Sequence, residues 1–243
     1  MSYTTFAKIY DDVMDPALYL KWLEFTQEHL APETKTIMDL ACGSGIFAVA
    51  LAKEGYRVTG LDLSSDMLAL AEGRALAEGA EIEFLEGDMT ELGEVGVFDA
   101  VTCYSDSLCY LPDEAAMLAA FRGVWQNLTT GGRFLFDVHS LYQIDQVFPD
   151  YSYHYQTDEY AFLWDSYPGE VRHSIEHFLT FFIEESNGSF ARFDELHHER
   201  TYSLATYQKL LQEAGFKKTE MFADFASTPP SDKSRRWFFV CEK

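Results

Sequence analysis

The sequence predicts an α/β protein: a mostly parallel sheet with helices on both faces, carrying an antiparallel β cap. Three observations lead there. Between about residues 35 and 140, short apolar runs (TKTIMDLA, YRVTGLDL, EIEFLEGD, VFDAVTCY, GRFLFDVH) alternate with helical patterns (FAVALAKEG, SSDMLALAEGRALAEG, DEAAMLAAFRGVWQNLTTG). That alternation belongs to parallel strands joined by crossover helices. From about 150 to 203 the texture turns aromatic and β-prone (YAFLWDSY, EVRHSIEHFLTFFIEE, SFARFDELHHERTYS), which reads as an antiparallel meander. Finally, 243 residues at 47% hydrophobic and 24% charged suffice to bury a core without disulfide or metal staples.

The elements follow in order. Asp15 and Pro16 form an N-cap followed by proline at the first helical position, opening a helix to about Leu30. Ser64 or Ser65 caps a later helix that Gly79 ends, and Asp113 follows Pro112 at the start of another, stopped by Gly131 and Gly132. Within the meander, Pro168-Gly169 and Asn187-Gly188 are turn signals, the second a strong hairpin cue. A helix from Leu204 to Ala214 stops at Gly215. FKKTEMFADF and RRWFFVCEK follow as closing strands, joined across the surface by STPPSDK. The expected division is a main domain, 1–140 and 204–243, with a β-rich insertion at 141–203.

Eighteen basic against forty acidic residues leave a formal charge of −22, which disfavours a polyanionic partner such as nucleic acid or an anionic membrane surface. Cys42, Cys103, Cys109 and Cys241 are too scattered for a disulfide framework or a structural zinc site, so no metal is expected. No run approaches the ~18 apolar residues of a membrane span, and MSYTTFAKIYDD lacks the features of a secretion signal. A reduced, cytoplasmic location is expected; the oligomeric state is left open.

The most informative segment is Asp39-Leu40-Ala41-Cys42-Gly43-Ser44-Gly45, directly after a strand and directly before a helix. Glycines there let backbone approach a ligand, and the helix N-terminus offers unpaired N–H groups. Gly43-Ser44-Gly45-Ile46-Phe47-Ala48 matches the dinucleotide fingerprint, with Asp62 nineteen residues after Gly43. The rival ligand is S-adenosylmethionine. Asp39 favours the rival on charge: its carboxylate would repel a pyrophosphate but attract a sulfonium and an ammonium.

These motifs resemble those of the class I S-adenosylmethionine-dependent methyltransferases, and the match covers residues 35–140. Asp39 to Gly45 is similar to the family's first motif, with Ala41 in place of its usual first glycine. Gly60-Leu61-Asp62-Leu63-Ser64-Ser65-Asp66-Met67-Leu68 resembles the second-strand signature, and Gly87-Asp88-Met89 the third-strand motif. Phe98-Asp99-Ala100-Val101 and Gly131-Gly132-Arg133 arrive where the fourth and fifth strands begin. The resemblance implies a Rossmann-like seven-stranded sheet with a reversed C-terminal hairpin. It implies Asp62 on the ribose hydroxyls, Asp88 on the adenine amino group and a Met89 N–H on adenine. The implied cofactor set is completed by Asp39, Ala41, Cys42, Gly43, Ser44, Gly45, Leu63, Met67, Gly87 and Tyr104. Tyr10, in Tyr10-Asp11-Asp12, resembles an entry segment that closes over the methionine end; equally, it is one aromatic on an amphipathic segment.

Methyl transfer from a sulfonium needs alignment and exclusion of water more than it needs a base. After the fourth strand, Tyr104-Ser105-Asp106-Ser107-Leu108-Cys109-Tyr110 lacks the proline-rich tetrad of enzymes that methylate nucleic-acid bases. Asp106 is the best polar candidate on the acceptor side, as base or as anchor for a cationic substrate, with capping of the next turn as its structural alternative. His139, after the fifth strand, is the second. Cys103, inside an apolar strand, reads as core. Tyr151, Tyr153, Tyr155, Tyr160, Phe162 and Trp164 of the insertion would line a pocket or pack the meander. His197 and His198 alternate faces in a strand, which argues against a metal pair. Arg200 and Tyr202 share the face of His198 and would suit an acidic group, while Arg235-Arg236 is expected to be solvated. The expectation is a methyltransferase with a small-molecule acceptor. An NAD(P)-dependent oxidoreductase, a non-catalytic S-adenosylmethionine-binding module and an RNA acceptor stand as alternatives.

Overall fold

The computed structural model describes residues 15–243. Asp15 accepts from the Ala17 N–H at 2.9 Å and caps α1 (Pro16–His29). Then come β1 (Thr36–Leu40), α2 (Ile46–Lys53), β2 (Arg57–Asp62), α3 (Ser65–Glu78), β3 (Ile82–Glu86), β4 (Phe98–Cys103), α4 (Glu114–Asn127) and β5 (Leu128–His139). Ser64, not Ser65, caps α3, and Gly79 ends it in the left-handed region. β6 (Ser152–Gln156), β7 (Tyr160–Pro168), β8 (Ser174–Glu184) and β9 (Phe190–Arg200) follow, then α5 (Leu204–Ala214), β10 (Lys218–Ala223) and β11 (Arg236–Glu242).

Seven strands form one sheet in the order β10-β11-β5-β4-β1-β2-β3, parallel except that β11 runs antiparallel to both neighbours. The period of two places successive residues in different cores. On β5, Phe134 and Phe136 enter a cluster with Phe121 of α4 and Tyr207 of α5. Leu135 between them enters the opposite cluster, with Trp22 and Phe25 of α1 and Phe47 of α2. β11 does the same with Phe239 and Phe238, and Phe239 stacks on its cross-strand partner Phe136 at 4.6 Å. The sheet order reverses between β1 and β4, and the crevice beyond their carboxyl ends is where open α/β sheets bind ligands.

β6 to β9 form a separate four-stranded antiparallel sheet, with the expected turns at Pro168-Gly169 and Asn187-Gly188. One end of its inner face, Ile175, His177 and Glu199, is buried; Ile175 packs with Ile144 and Phe148, and Glu199 faces His139 of β5. Of its six candidate aromatic residues, Tyr160, Phe162 and Trp164 have the packing role among the two foreseen. Tyr160 and Phe162 join Leu179 and Phe181 in a cluster, Trp164 packs beside Tyr151, and Tyr153 and Tyr155 are exposed. None of the six lines the cavity described below.

Candidate functional site

The loop after β1 is shaped by three residues in the left-handed region: Ala41 at φ 58°, Gly43 at 53° and Gly45 at 78°. Gly45 has a steric reason as well, since a Cβ there would stand 2.7 Å from the Ala71 Cβ on α3. It does not line the cavity, so its part in the cofactor loop is to let α3 pack close. Ala41 carries a side chain where the backbone suits glycine. Ala41→Gly is therefore expected to stabilise the protein by about 0.5–1 kcal/mol, read from urea unfolding; a loss of stability would mean that the methyl's packing outweighs the strain.

Three carboxylates close around the loop. Asp62, at the carboxyl end of β2, accepts from the Gly43 N–H at 2.8 Å through Oδ2 and from the Ser64 N–H at 2.9 Å through Oδ1. Both oxygens are thus oriented and retain lone pairs for further donors. Burial raises its pKa. Asp39, 3% exposed, accepts from Thr102 Oγ1 at 2.9 Å through Oδ1, while its Oδ2 is buried without a hydrogen-bond partner. Burial pushes the Asp39 carboxyl up to about 7, with Thr102 opposing and the Asp62 charge adding. Asp88 caps a short turn through Oδ1, which accepts the Thr90 N–H and hydroxyl, both at 2.7 Å.

These groups share a cavity of about 750 Å³, within the range of small-molecule sites. Of the residues expected to bind cofactor, Asp39, Ala41, Cys42, Gly43, Ser44, Asp62, Leu63, Met67, Gly87, Asp88, Met89 and Tyr104 line it. Tyr104 presents its ring, with its hydroxyl 2.7 Å from Thr26 Oγ1. Tyr10 lies outside the described residues.

The acceptor-side candidates sit elsewhere. Neither Asp106 nor His139 lines the cavity; both are buried in an ionic cluster behind it. Asp106 Oδ2 lies 2.7 Å from Arg236 Nη2 and 3.1 Å from His139 Nε2. Arg236 Nη1 lies 2.5 Å from Asp137 Oδ2, which also accepts from Trp22 Nε1 at 2.8 Å. Arg236 is therefore not solvated: it opens β11 opposite His139 at the end of β5, where two buried carboxylates hold it. The cation that Asp106 anchors is part of this chain. His139 faces Glu199 Oε2 at 3.4 Å, and burial drives its pKa well below the usual histidine value. Burial and the Asp106 charge push Glu199 up to about 8, and burial brings His177 down to about 3.

The tautomer of His177 decides what this cluster is. Trp164 Nε1, a donor only, points at His177 Nδ1 at 3.1 Å. The ring hydrogen is then on Nε2, which faces Glu199 Oε1 at 3.7 Å, beyond hydrogen-bond range, and has no lone pair to offer a metal. Among the described residues, no three histidine, cysteine, aspartate or glutamate side chains have metal-holding geometry. His197 and His198 do diverge, with side chains 12% and 64% exposed. Arg200 lies over the Tyr202 ring at 4.9 Å.

Among the lining residues without a binding role assigned from sequence are Tyr19 and Trp22 of α1, Tyr110 from the turn after β4, and His197 of β9. Helix periodicity buries Trp22 without saying under what. For His197, strand alternation gives the face but not its approach to Tyr110, 87 residues away in sequence.

Comparisons with known proteins bear on this geometry. A family model described as a methyltransferase domain matches residues 37–132. A protein of Geobacillus sp. (strain WCH70), named as a candidate methyltransferase, is 43% identical over 100% of both chains. A similarly named protein of Bacillus subtilis (strain 168) is 38% identical over 100% of this chain and 98% of its own. The chain belongs to the class I S-adenosylmethionine-dependent methyltransferases. The crystal structure of such a methyltransferase from Clostridium acetobutylicum ATCC 824 superposes with a TM-score of 0.86 at 27% identity, covering 99% of this chain and 98% of the other. A sugar N-methyltransferase from Streptoalloteichus sp ATCC 53650 shares the fold, with a TM-score of 0.79 at 22% identity over 100% and 93% of the two chains.

The methyltransferase's own residues fit its cofactor. The unpartnered Asp39 Oδ2 is a buried acceptor waiting for a donor, and an ammonium supplies one. A pyrophosphate would bring only acceptors and negative charge toward Asp39, so the chemistry sides with the kinship against the dinucleotide alternative.

Proposed function

We propose that this methyltransferase acts on a small-molecule acceptor, with residues 141–203 forming a cap on the acceptor side of the cavity. The observation that carries the reading is the cavity itself: about 750 Å³, walled by α1, the β1, β2 and β3 loops and the turn after β4, with His197 reaching in from β9. Such a chamber suits a cofactor and a compact acceptor, not a helical polymer. The formal charge of −22 argues the same way. Kinship is consistent: the sugar N-methyltransferase above shares the fold, and the cypemycin N-terminal methyltransferase of a Streptomyces species is 24% identical over 90% of this chain.

In this reading S-adenosylmethionine brings a methyl group already activated on a sulfonium. Asp62 holds the ribose diol, Asp88 and the Met89 N–H hold the adenine edge, exposed Leu63 covers its face, and Asp39 takes the ammonium. The chain's contribution is alignment and dryness. A cytoplasmic setting goes with this reading, since all four cysteines are unpaired and buried. No helix among the described residues is long and apolar enough to cross a membrane.

Calorimetry with S-adenosylhomocysteine, followed by transfer of labelled methyl to a panel of small molecules and to tRNA at low salt, tests the reading. Asp62→Ala is expected to lose roughly 10- to 100-fold in affinity, because the diol loses its partner and the Gly43 and Ser64 N–H groups lose theirs. Asp62→Asn should lose less. Cofactor binding without transfer to any acceptor would favour a binding module; salt-sensitive transfer to tRNA alone would favour RNA.

A further inference from the structure

We propose that Tyr110, His197 and Glu195 form a proton relay on the acceptor side, and hence that the acceptor is an amine or a hydroxyl that must lose a proton. The inference rests on the methyltransferase reading and specifies its chemistry. Tyr110 and His197 both line the cavity, and they arrive from different sheets. Tyr110 ends the turn after β4, at the point where the acceptor side of the sheet begins. Among the described residues, His197 is the insertion's one contribution to the cavity lining. A strand that merely covered the site would present an apolar side chain there, since burying an imidazole costs unless it is hydrogen-bonded.

The imidazole is held at both ends. His197 Nε2 lies 3.0 Å from Glu195 Oε2, and His197 Nδ1 lies 3.1 Å from the Tyr110 hydroxyl. A carboxylate only accepts, so Nε2 carries the ring hydrogen and Nδ1 offers its lone pair to the Tyr110 O–H. Orienting a histidine through a carboxylate on its far nitrogen is the arrangement by which enzymes fix a base. Other ionisable groups stand near: Glu199, two residues along the same face and with its carboxyl held up to about 8, also meets the Tyr110 hydroxyl, and His177 lies opposite His197 on β8. Behind them are His139 and Asp106, which meet Glu199 and each other.

The step balances as follows. The acceptor's nitrogen or oxygen bonds the methyl carbon as the carbon–sulfur bond breaks and sulfur keeps the pair. The acceptor's proton passes to the Tyr110 oxygen, and the Tyr110 proton passes to His197 Nδ1. The resulting imidazolium is stabilised by Glu195 until solvent takes the proton.

Two measurements test the relay. In ¹⁵N-labelled protein saturated with S-adenosylhomocysteine, the His197 ring should show hydrogen on Nε2 and a hydrogen-bonded Nδ1, and Tyr110→Phe should shift Nδ1 alone. Hydrogen on Nδ1 overturns the relay whatever the acceptor. In methyl transfer to small amines and phenols, Tyr110→Phe and His197→Asn should each lower kcat at least 100-fold, with S-adenosylhomocysteine affinity within about twofold of wild type. Asparagine keeps an accepting atom near the Nδ1 position but cannot take a proton, so full activity in His197→Asn would show a positioning role only and overturn the proposal. So would transfer confined to nucleophiles without a proton. Failure of the wild type to bind S-adenosylhomocysteine would instead sink the cofactor reading.

Discussion

Replacing Arg236 with methionine is expected to destabilise the protein by about 3–5 kcal/mol at pH 8, the largest stability loss of any single substitution considered. The guanidinium bridges Asp106 and Asp137, both buried, the latter with a fully buried side chain. Methionine fills the stem's space and leaves two carboxylates in a low-dielectric site without a cation. Trp22 Nε1 still donates to Asp137 and the Asp106 N–H still lies 3.2 Å from Asp137 Oδ1, but neither carries a full charge. The defect must also depend on pH. Burial already lifts Asp137 to about 6 and raises Asp106 against the pull of Arg236; without that pull both rise further. A group whose folded pKa is raised binds protons the unfolded chain does not, so stability falls as pH rises from the unfolded carboxylate value, about 4, through the folded one. The variant should recover part of its deficit at pH 5.5. Urea unfolding at the two pH values measures both statements. A deficit below about 1 kcal/mol, or one indifferent to pH, would mean that water reaches the pair.

The contrast with Arg236 shows which parts of this molecule a sequence exposes. β1 to β5 and their helices are legible because each follows a local rule: a short apolar run (buried on both faces in β1, β2 and β4), a Ser64 or Asp113 cap, a glycine at a helix end. The cofactor loop was legible for the same reason, since Asp39, Gly43 and Gly45 lie within seven residues and Asp62 ends the adjacent strand. Arg236 sits beside Arg235 in an apparently solvated basic pair, and nothing local reveals that its partners are Asp106 and Asp137, at separations of 130 and 99 residues. Asp106 and His139 were placed by the same topological rule that places acceptor groups. That rule fixes the end of the sheet but not whether a side chain faces the cavity or the layer beneath. Asp106 has φ 59°, as does Ser105 before it, and that turn carries Ser105 and Ser107 to the cavity and Asp106 away from it. Two consecutive left-handed non-glycine residues leave no trace in composition or periodicity.

Cofactor affinity is expected to rise by roughly 10- to 100-fold between pH 5 and 7 and then to level off, with Asp39 as the cause. In the empty site its carboxyl titrates near 7, because burial opposes the charge and Oδ2 has no donor. An ammonium placed against Oδ2 stabilises the carboxylate and lowers that pKa, so binding below pH 7 expels one proton and becomes about tenfold weaker for each further unit of acid. Calorimetry with S-adenosylhomocysteine in buffers of different ionisation enthalpy counts that proton directly. 5′-Methylthioadenosine, which keeps the adenosine but lacks the ammonium, should show neither the proton nor the slope. Asp39→Asn separates the electrostatic account from a packing one, because its two effects have opposite signs. It should weaken cofactor binding at pH 7.5 and abolish the pH dependence. At the same pH the empty protein should become more stable, by about 2 kcal/mol or more, since the wild-type group loses stability as pH rises from about 4 through 7 and an uncharged amide does not. A variant that lost both affinity and stability would place Asp39 among the residues that hold β1 to β4. One that lost affinity while gaining stability would identify a buried charge kept at the expense of the fold, for a cation that the empty protein lacks.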